Sequence, residues 1–436
     1  MTRPRITNAT RFALWRWITL FGIALTALLG PCVMEDQGWA SSTPELNIKM
    51  TGQFVPGMES YDRIIAQLMH DHDVPGAAVA VVRHGRLVYA RGFGMADREN
   101  GVPVQPDSIF RIASISKPIT AVAVLKLVEE GRLELDVRVF RDLLRGIEPP
   151  PVVDDRMNEI TVRDLLRHSG GFDRKLSGDP MFKQKKISET IDKPTPLDCV
   201  DIISHMKRQR LDFSPGERYA YSNFGYCTLG RVIEQVSGMS YEDHIRREIL
   251  APAGAKQMRV ADSFVKGRLE NEVKYYDYPW AEKRESLDPN VWTHVPRPYT
   301  GMLSPMDAHG GWASSAIDLL RFVAAVDGRD NDDIVSDETI ELMTARPHYR
   351  EGKRVWYGLG WLVRDLGRGR SNWWHAGSLP GTTSLVVRAA NGSSWAVVMN
   401  SRPKNRKLGR ALDRGMWKAF RRVTQWPRHD LFSQFR

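Results

Sequence analysis

Residues 114–131 read Ser114-Ile115-Ser116-Lys117-Pro118-Ile119-Thr120-Ala121-Val122-Ala123-Val124-Leu125-Lys126-Leu127-Val128-Glu129-Glu130-Gly131. From Ile119 to Glu130 the segment is apolar nearly all round, the signature of a helix buried on every side. Pro118 falls in the first turn, where a missing N–H costs nothing, and Gly131 follows the last helical residue. Ser114 is thereby placed at a helix N-terminus, and residues at i and i+3 share a face, so the Lys117 amine can approach the Ser114 hydroxyl. The helix dipole favours the anionic character a nucleophile develops there. A lysine desolvated in such a place loses proton affinity and can serve as a base.

Working outward, the run Gly76 to Val82, a turn at His84-Gly85 and Leu87 to Ala90 read as a hairpin with at least one buried strand. Far downstream, Ser384 to Val387 and Trp395 to Val398 flank Asn391-Gly392, a turn-forming pair. Between these ends, Val162 to Leu166, Cys227 to Val236 and Ile317 to Val326 place apolar residues at helical spacing. Asp173 to Pro196 and Arg268 to Thr300 have no clear period and read as functional loops or disorder. The expected fold class is α+β: an antiparallel sheet flanked by helices, assembled from about 60–140 and 310–436, with a mostly helical insertion over about 141–309. No internal repeat is visible.

The chain has 436 residues, 42% hydrophobic and 26% charged, which leaves disordered, collagen-like and coiled-coil readings without support. Its net charge of +10 is unevenly placed: residues 402–436 carry 11 Lys+Arg against 2 Asp+Glu, a net of +9. A nucleic-acid protein carries its basic stripe on its reading surface, so no nucleic-acid partner is expected. The tail reads as a helix over Lys407 to Arg421, with Leu408, Leu412, Trp417 and Phe420 on the core face. Its charges offer association with a membrane surface or the cell wall, a solvated face being the plainer reading.

At the other end, Arg3, Arg5, Arg11 and Arg16 precede the apolar run Ile18 to Gly30. That pattern fits a secretory signal within residues 1–40, with a retained anchor and lipidation at Cys32 as alternatives, and residues 41–436 as the exported domain. Cys199 and Cys227 are expected to be buried free thiols, since a fold this size does not need a disulfide. No His or Cys cluster has metal-ligand spacing, and no cofactor is expected.

Ser-x-x-Lys occurs four times in the chain, and only the Ser114 match opens a buried apolar helix. Tyr221-Ser222-Asn223 is the only Tyr-x-Asn. A tyrosine near a cationic lysine loses its proton more easily and can shuttle it between nucleophile and leaving group. His375-Ala376-Gly377 leads into the strand near Ser384, and His-x-Gly also occurs at His168 and His309. A small residue and a glycine there would let a substrate backbone lie against a strand edge. The Ser378 N–H could then join that of Ser114 to hold an oxyanion.

In the order Ser-x-x-Lys, Tyr-x-Asn, His-x-Gly, the chain resembles the serine β-lactamase and penicillin-binding-protein superfamily. More closely, it is similar to the group holding class C β-lactamases, D-alanyl-D-alanine carboxypeptidases and family VIII esterases. Val74-Pro75-Gly76, Ile160 to Gly171, Gly310 to Ala316 and Tyr357 to Trp361 extend the likeness from about Tyr61 to about Asn400. The resemblance implies the β-lactamase/transpeptidase-like fold and an acyl-enzyme formed on Ser114, with Lys117 and Tyr221 moving the proton. It further implies that Asn223 contacts the substrate amide or orients Lys117, that Gly377 is the close-approach residue, and that the Ser114 and Ser378 amides form the oxyanion hole. His375 stands where many members carry lysine. A histidine is mostly neutral at pH 7, so a substrate carboxylate has no permanent cation there, and an ester or D-amino-acid-type amide is expected ahead of a β-lactam. Tyr275 to Trp280, with Trp373 and Trp374, could form an apolar wall of the site, ordinary packing being the alternative. The alternatives are a β-lactamase or peptidoglycan carboxypeptidase, and a non-catalytic binding protein with the same fold.

Overall fold

Alternate residues of the buried strand Gly76–Arg83 belong to two different cores. Ala78, Ala80 and Val82 point into one apolar cluster, and Ala77, Val79 and Val81 into another. A strand covered on both faces reads as a continuous apolar run, and this one does. The computed structural model describes residues 47–148, 152–328, 333–404 and 407–435; the expected export segment, residues 1–40, lies outside them.

Eight strands form the main antiparallel sheet: β1 (Met50–Thr51), β2 (Gly76–Arg83), β3 (Arg86–Asp97), β4 (Val355–Tyr357), β5 (Leu362–Gly367), β6 (Arg370–Leu379), β7 (Thr382–Arg388) and β8 (Ser393–Met399). Their spatial order is β1-β3-β2-β8-β7-β6-β5-β4, with the short strand Val102–Pro103 paired to β3. The sheet is thus closed across its middle by β2 and β8, drawn from the two halves of the chain, in the register Val79↔Val397 and Val81↔Trp395. At the β2–β3 turn His84 (φ 48°) and Gly85 (φ 74°) both have positive φ, the requirement of a tight two-residue hairpin.

Helices cover both faces. On one side lie α1 (Glu59–His72) and α5 (Leu408–Arg422), packed together and onto the sheet through Leu408, Leu412, Met416 and Ala419. The basic tail is therefore an amphipathic helix with its charges outward, and Trp417 and Phe420 stack on the buried Trp395. On the other side, α2 (Ser116–Glu129) runs through the larger core, with α3 (Asn223–Ser237) and α4 (Ala316–Ala324) around it. Burying each aliphatic side chain of such a core contributes about 1.5–3 kcal/mol. The segment between the two groups of strands supplies short helices, including Val162–Leu166, Gln184–Ile191 and Cys199–Met206. No helix among the described residues is long and apolar enough to cross a membrane.

The free-thiol expectation is overturned: Cys199 and Cys227 form a disulfide. Cys199 opens the helix Cys199–Met206 and Cys227 lies in the second turn of α3; these helices pack side by side with the two Cα atoms 6.0 Å apart, within bonding range. Sequence spacing alone does not reveal that adjacency.

Candidate active site

Ser114 does not begin the α-helix as expected; it sits in the 3-10 turn Ala113–Ile115 just before α2. Ala113 holds a left-handed φ of 49°, a conformation a non-glycine residue keeps only when its surroundings enforce it. The enforcing contacts come from the sheet. Ser384 of β7 donates its hydroxyl to the Ile112 carbonyl at 2.7 Å, and the Ile112 amide donates to Trp312 at 2.9 Å. Gly377 of β6 lies so close that a Cβ there would fall 2.2 Å from the Ile112 oxygen and 2.1 Å from Ser384 Oγ. Gly377 is thus a close-approach residue, and the segment that lies against it is the turn carrying Ser114.

The i, i+3 geometry survives the shift of the helix start, because a 3-10 turn eclipses i and i+3. Lys117 is fully buried, and its Nζ lies 3.2 Å from Ser114 Oγ, 2.8 Å from Asn223 Oδ1 and 2.7 Å from the His309 carbonyl oxygen. Burial drives its proton affinity well below that of an ordinary lysine; Asp179 opposes the shift and Arg174 adds to it. In the neutral amine two N–H bonds satisfy Asn223 Oδ1 and the His309 carbonyl, both acceptors. The lone pair then faces the longest of the three contacts, the Ser114 hydroxyl.

Asn223 opens α3, capped by Ser222, whose hydroxyl accepts from the Gly225 amide at 3.2 Å. Its Oδ1 serves Lys117, and its Nδ2 donates to Asp179 Oδ2 at 2.7 Å. Asp179 therefore decides which way the amide faces. Sequence reading missed it: it lies in the Asp173 to Pro196 stretch, whose Pro180–Phe182 turn it caps by accepting from the Met181 amide. Asn223 thus contacts Lys117 and also lines the cavity beside Ser114.

Tyr221 lies just before that cap, its hydroxyl within hydrogen-bonding reach of Ser114. The Lys117 ammonium position is 4.8 Å from its ring centre, and Arg174 covers the ring at 4.5 Å. Burial pushes the phenol upward, against the expectation that a neighbouring cation would ease its ionisation. The phenol is held as an acid. Beneath it, His168 stacks at 4.4 Å on Tyr221 and at 4.5 Å on Tyr357, and accepts from the Ser222 amide through Nδ1 at 3.1 Å. His168 and His309, whose His-x-Gly patterns look accidental in the sequence, are thus both at the site.

His375 is 3% exposed on β6. Its Nδ1 lies 3.0 Å from the Ala376 carbonyl and so carries the proton, leaving Nε2 to accept from the Tyr357 hydroxyl at 3.1 Å. Burial, then repulsion from Lys117, lower its pKa to about 3. The ring is neutral across the working range. Strand β5 pairs with β6 only as far as Trp374, so His375 to Leu379 form a local free edge on that side. Ser114, Tyr221, Asn223, His375 and Ser378 all line one cavity of about 490 Å³. The expected aromatic wall is not there: Tyr275 packs under Arg111, Trp373 against Trp361, and Trp280 is exposed. Tyr219, Tyr357, Phe182 and Met302 line the cavity instead.

Comparison with known proteins agrees with this geometry. The chain is 27% identical to penicillin-binding protein 4* of Bacillus subtilis over 348 residues, 78% of this chain and 71% of that protein. It is 32% identical to esterase EstB of Burkholderia gladioli over 219 residues, half of this chain and 54% of the esterase. Among solved structures, D-amino acid amidase from Ochrobactrum anthropi, complexed with D-phenylalanine, superposes with a TM-score of 0.62 at 25% identity, covering 83% of this chain and 98% of the amidase. The Beta-lactamase family model matches residues 61–415, and the chain belongs to that family, with its β-lactamase/transpeptidase-like fold.

Proposed function

We propose that the chain is an exported serine hydrolase that transfers an acyl group from an ester or a D-amino-acid-type amide to water through an acyl-enzyme on Ser114. The observation that carries this reading is the buried Lys117, its proton affinity driven well below that of an ordinary lysine, with Nζ 3.2 Å from Ser114 Oγ. Lys117 takes the hydroxyl proton as Oγ bonds to the carbonyl carbon, and the Ser114 and Ser378 amides receive the oxyanion. Tyr221, kept protonated by burial, gives its proton to the leaving group as the carbonyl-to-leaving-group bond breaks, and regains it from Lys117. Water then releases the acyl group by the reverse sequence of proton transfers.

The neutral His375 favours esters and amides over β-lactams, because it supplies no cation for a carboxylate at the position it occupies. The esterase and the D-amino acid amidase among the similar proteins support the same substrate range. Penicillin-binding protein 4* keeps the cell-wall alternative open, and covalent penicillin labelling with negligible turnover would favour it. The Cys199–Cys227 disulfide supports an oxidising, exported location. Hydrolysis of a short-chain p-nitrophenyl ester and a chromogenic cephalosporin, side by side with Ser114→Ala, tests the reading. Ester turnover that exceeds cephalosporin turnover and is lost in the variant is expected; two equally inert proteins would move the assignment to a binding protein.

A further inference from the structure

The catalytic cavity opens onto a second, larger one. This basin has a volume of about 770 Å³ and shares Phe182, Arg297, Met302 and Pro380 with the cavity at Ser114. Six of its lining side chains are lysine or arginine and two are glutamate. Both glutamates are already paired, Glu285 with Lys185 and Glu282 with Arg284. Lys186 and Lys283 have no ion-pair partner among the described residues. The catalytic cavity itself is lined by three arginines, Arg174, Arg297 and Arg402, and by no carboxylate.

A second observation is independent of charge. Gln184, 3% exposed, lines the basin; its Oε1 accepts from the Leu197 amide at 2.9 Å, while its Nε2 has no partner among the described residues. A buried donor left unpaired is uncommon in a folded protein; this one has under 1 Å² of accessible surface, so an acceptor in the basin reaches it once the amide turns outward. The apolar Phe182, Met302 and Pro380 at the junction suit a spacer, and the donors and cations beyond suit an anionic acceptor.

We propose that the basin is a subsite for a carboxylate at the far end of an extended substrate whose reacting carbonyl lies at Ser114. Lys186 and Lys283 supply the attraction, and Gln184 Nε2, once the amide turns toward the basin, a directed hydrogen bond. The inference rests on the hydrolase reading above, and it restores through the basin the anion recognition that His375 lacks. The source of the carboxylate is a dicarboxylic acyl chain or an acidic peptide.

The test compares kcat/KM of the full chain for two p-nitrophenyl esters of equal length, one ending in a methyl ester and one in a free carboxylate. A D-alanyl p-nitroanilide extended by glutamate separates the peptide source from the acyl chain. The free carboxylate is expected to win by about 3- to 10-fold at low salt, with the advantage fading at about 0.5 M salt. The ratio is expected to fall to one or below in the Lys186→Glu, Lys283→Glu double variant. A ratio of one in the unsubstituted chain, or a preference indifferent to both salt and the double variant, overturns the subsite while leaving the hydrolase reading intact. Calorimetric titration of Ser114→Ala with the carboxylated ester reads the basin without turnover: binding that the double variant loses supports the proposal, and no binding overturns it.

Discussion

The two-sided sheet core and the pocket at Ser114 bury their side chains equally deeply and in opposite chemistry. Val79 and Val397 meet across β2 and β8 at 0% exposure, as partners in the antiparallel ladder. In the pocket, Lys117 is also at 0%, with His168 at 1%, His309 at 2% and His375 at 3%. In the sheet, burial and local preference point the same way. In the pocket, burial opposes the charged forms of Lys117, His168, His309 and His375 and lowers the proton affinity of each. The scaffold supplies the stability against which the pocket can hold groups that would be more stable in water.

Substitutions on the two sides sharpen this contrast. The largest effect is expected for Lys117→Met, which removes the base: kcat/KM for an ester should fall on the order of 10³-fold or more. Unfolding free energy in chemical denaturation should hold or rise, by an amount on the order of 1 kcal/mol, because a desolvated amine gives way to an apolar side chain. In the sheet, Val397→Ala should do the reverse, lowering stability by about 2–3 kcal/mol in chemical denaturation with kcat/KM unchanged. A loss of activity in Val397→Ala comparable to that of Lys117→Met would break the separation between the two regions.

Smaller effects probe the pocket's own wiring. Asp179→Asn keeps the shape but removes the charge that raises the Lys117 proton affinity. Since Lys117 must be neutral to take the Ser114 proton, the rise of kcat/KM with pH should move to lower pH. Asp179→Ala also frees the Asn223 amide and should cost about tenfold in kcat/KM. A structural role alone would lower activity without moving the pH profile.

His375 gives the smallest and most selective signal. Its pKa falls from the usual 6.5 to about 3 on folding, so between those values the unfolded chain binds the extra proton. Its contribution is fully present above pH 6.5 and is lost as the pH falls toward 3. Denaturation midpoints of the unsubstituted chain should therefore drop more between pH 7 and pH 4 than those of His375→Gln.

The same contrast explains what was legible in the sequence. The runs Gly76 to Val82 and Trp395 to Val398 and the buried helix after Pro118 are strong periodic signals because packing and propensity agree there. Ser114, Lys117, Tyr221, Asn223 and His375 were recoverable from their order along the chain, and they line or flank one cavity. Asp179 was hidden because one carboxylate in an aperiodic loop carries no signal until the loop folds against α3. His168 and His309 were discounted because a two-residue pattern repeats by chance. The disulfide depended on the adjacency of two helices 28 residues apart in sequence. Gly377 was expected to admit a substrate backbone, and the structure shows it making room for the Ile112 carbonyl, a neighbour the sequence does not reveal.

The most direct test of the account is intact-mass and peptide mass spectrometry of the chain quenched during turnover of a p-nitrophenyl ester. The account predicts a mass increase equal to one acyl group, mapped to Ser114 and absent from Ser114→Ala. An adduct on another residue, or turnover undiminished in Ser114→Ala, would contradict it.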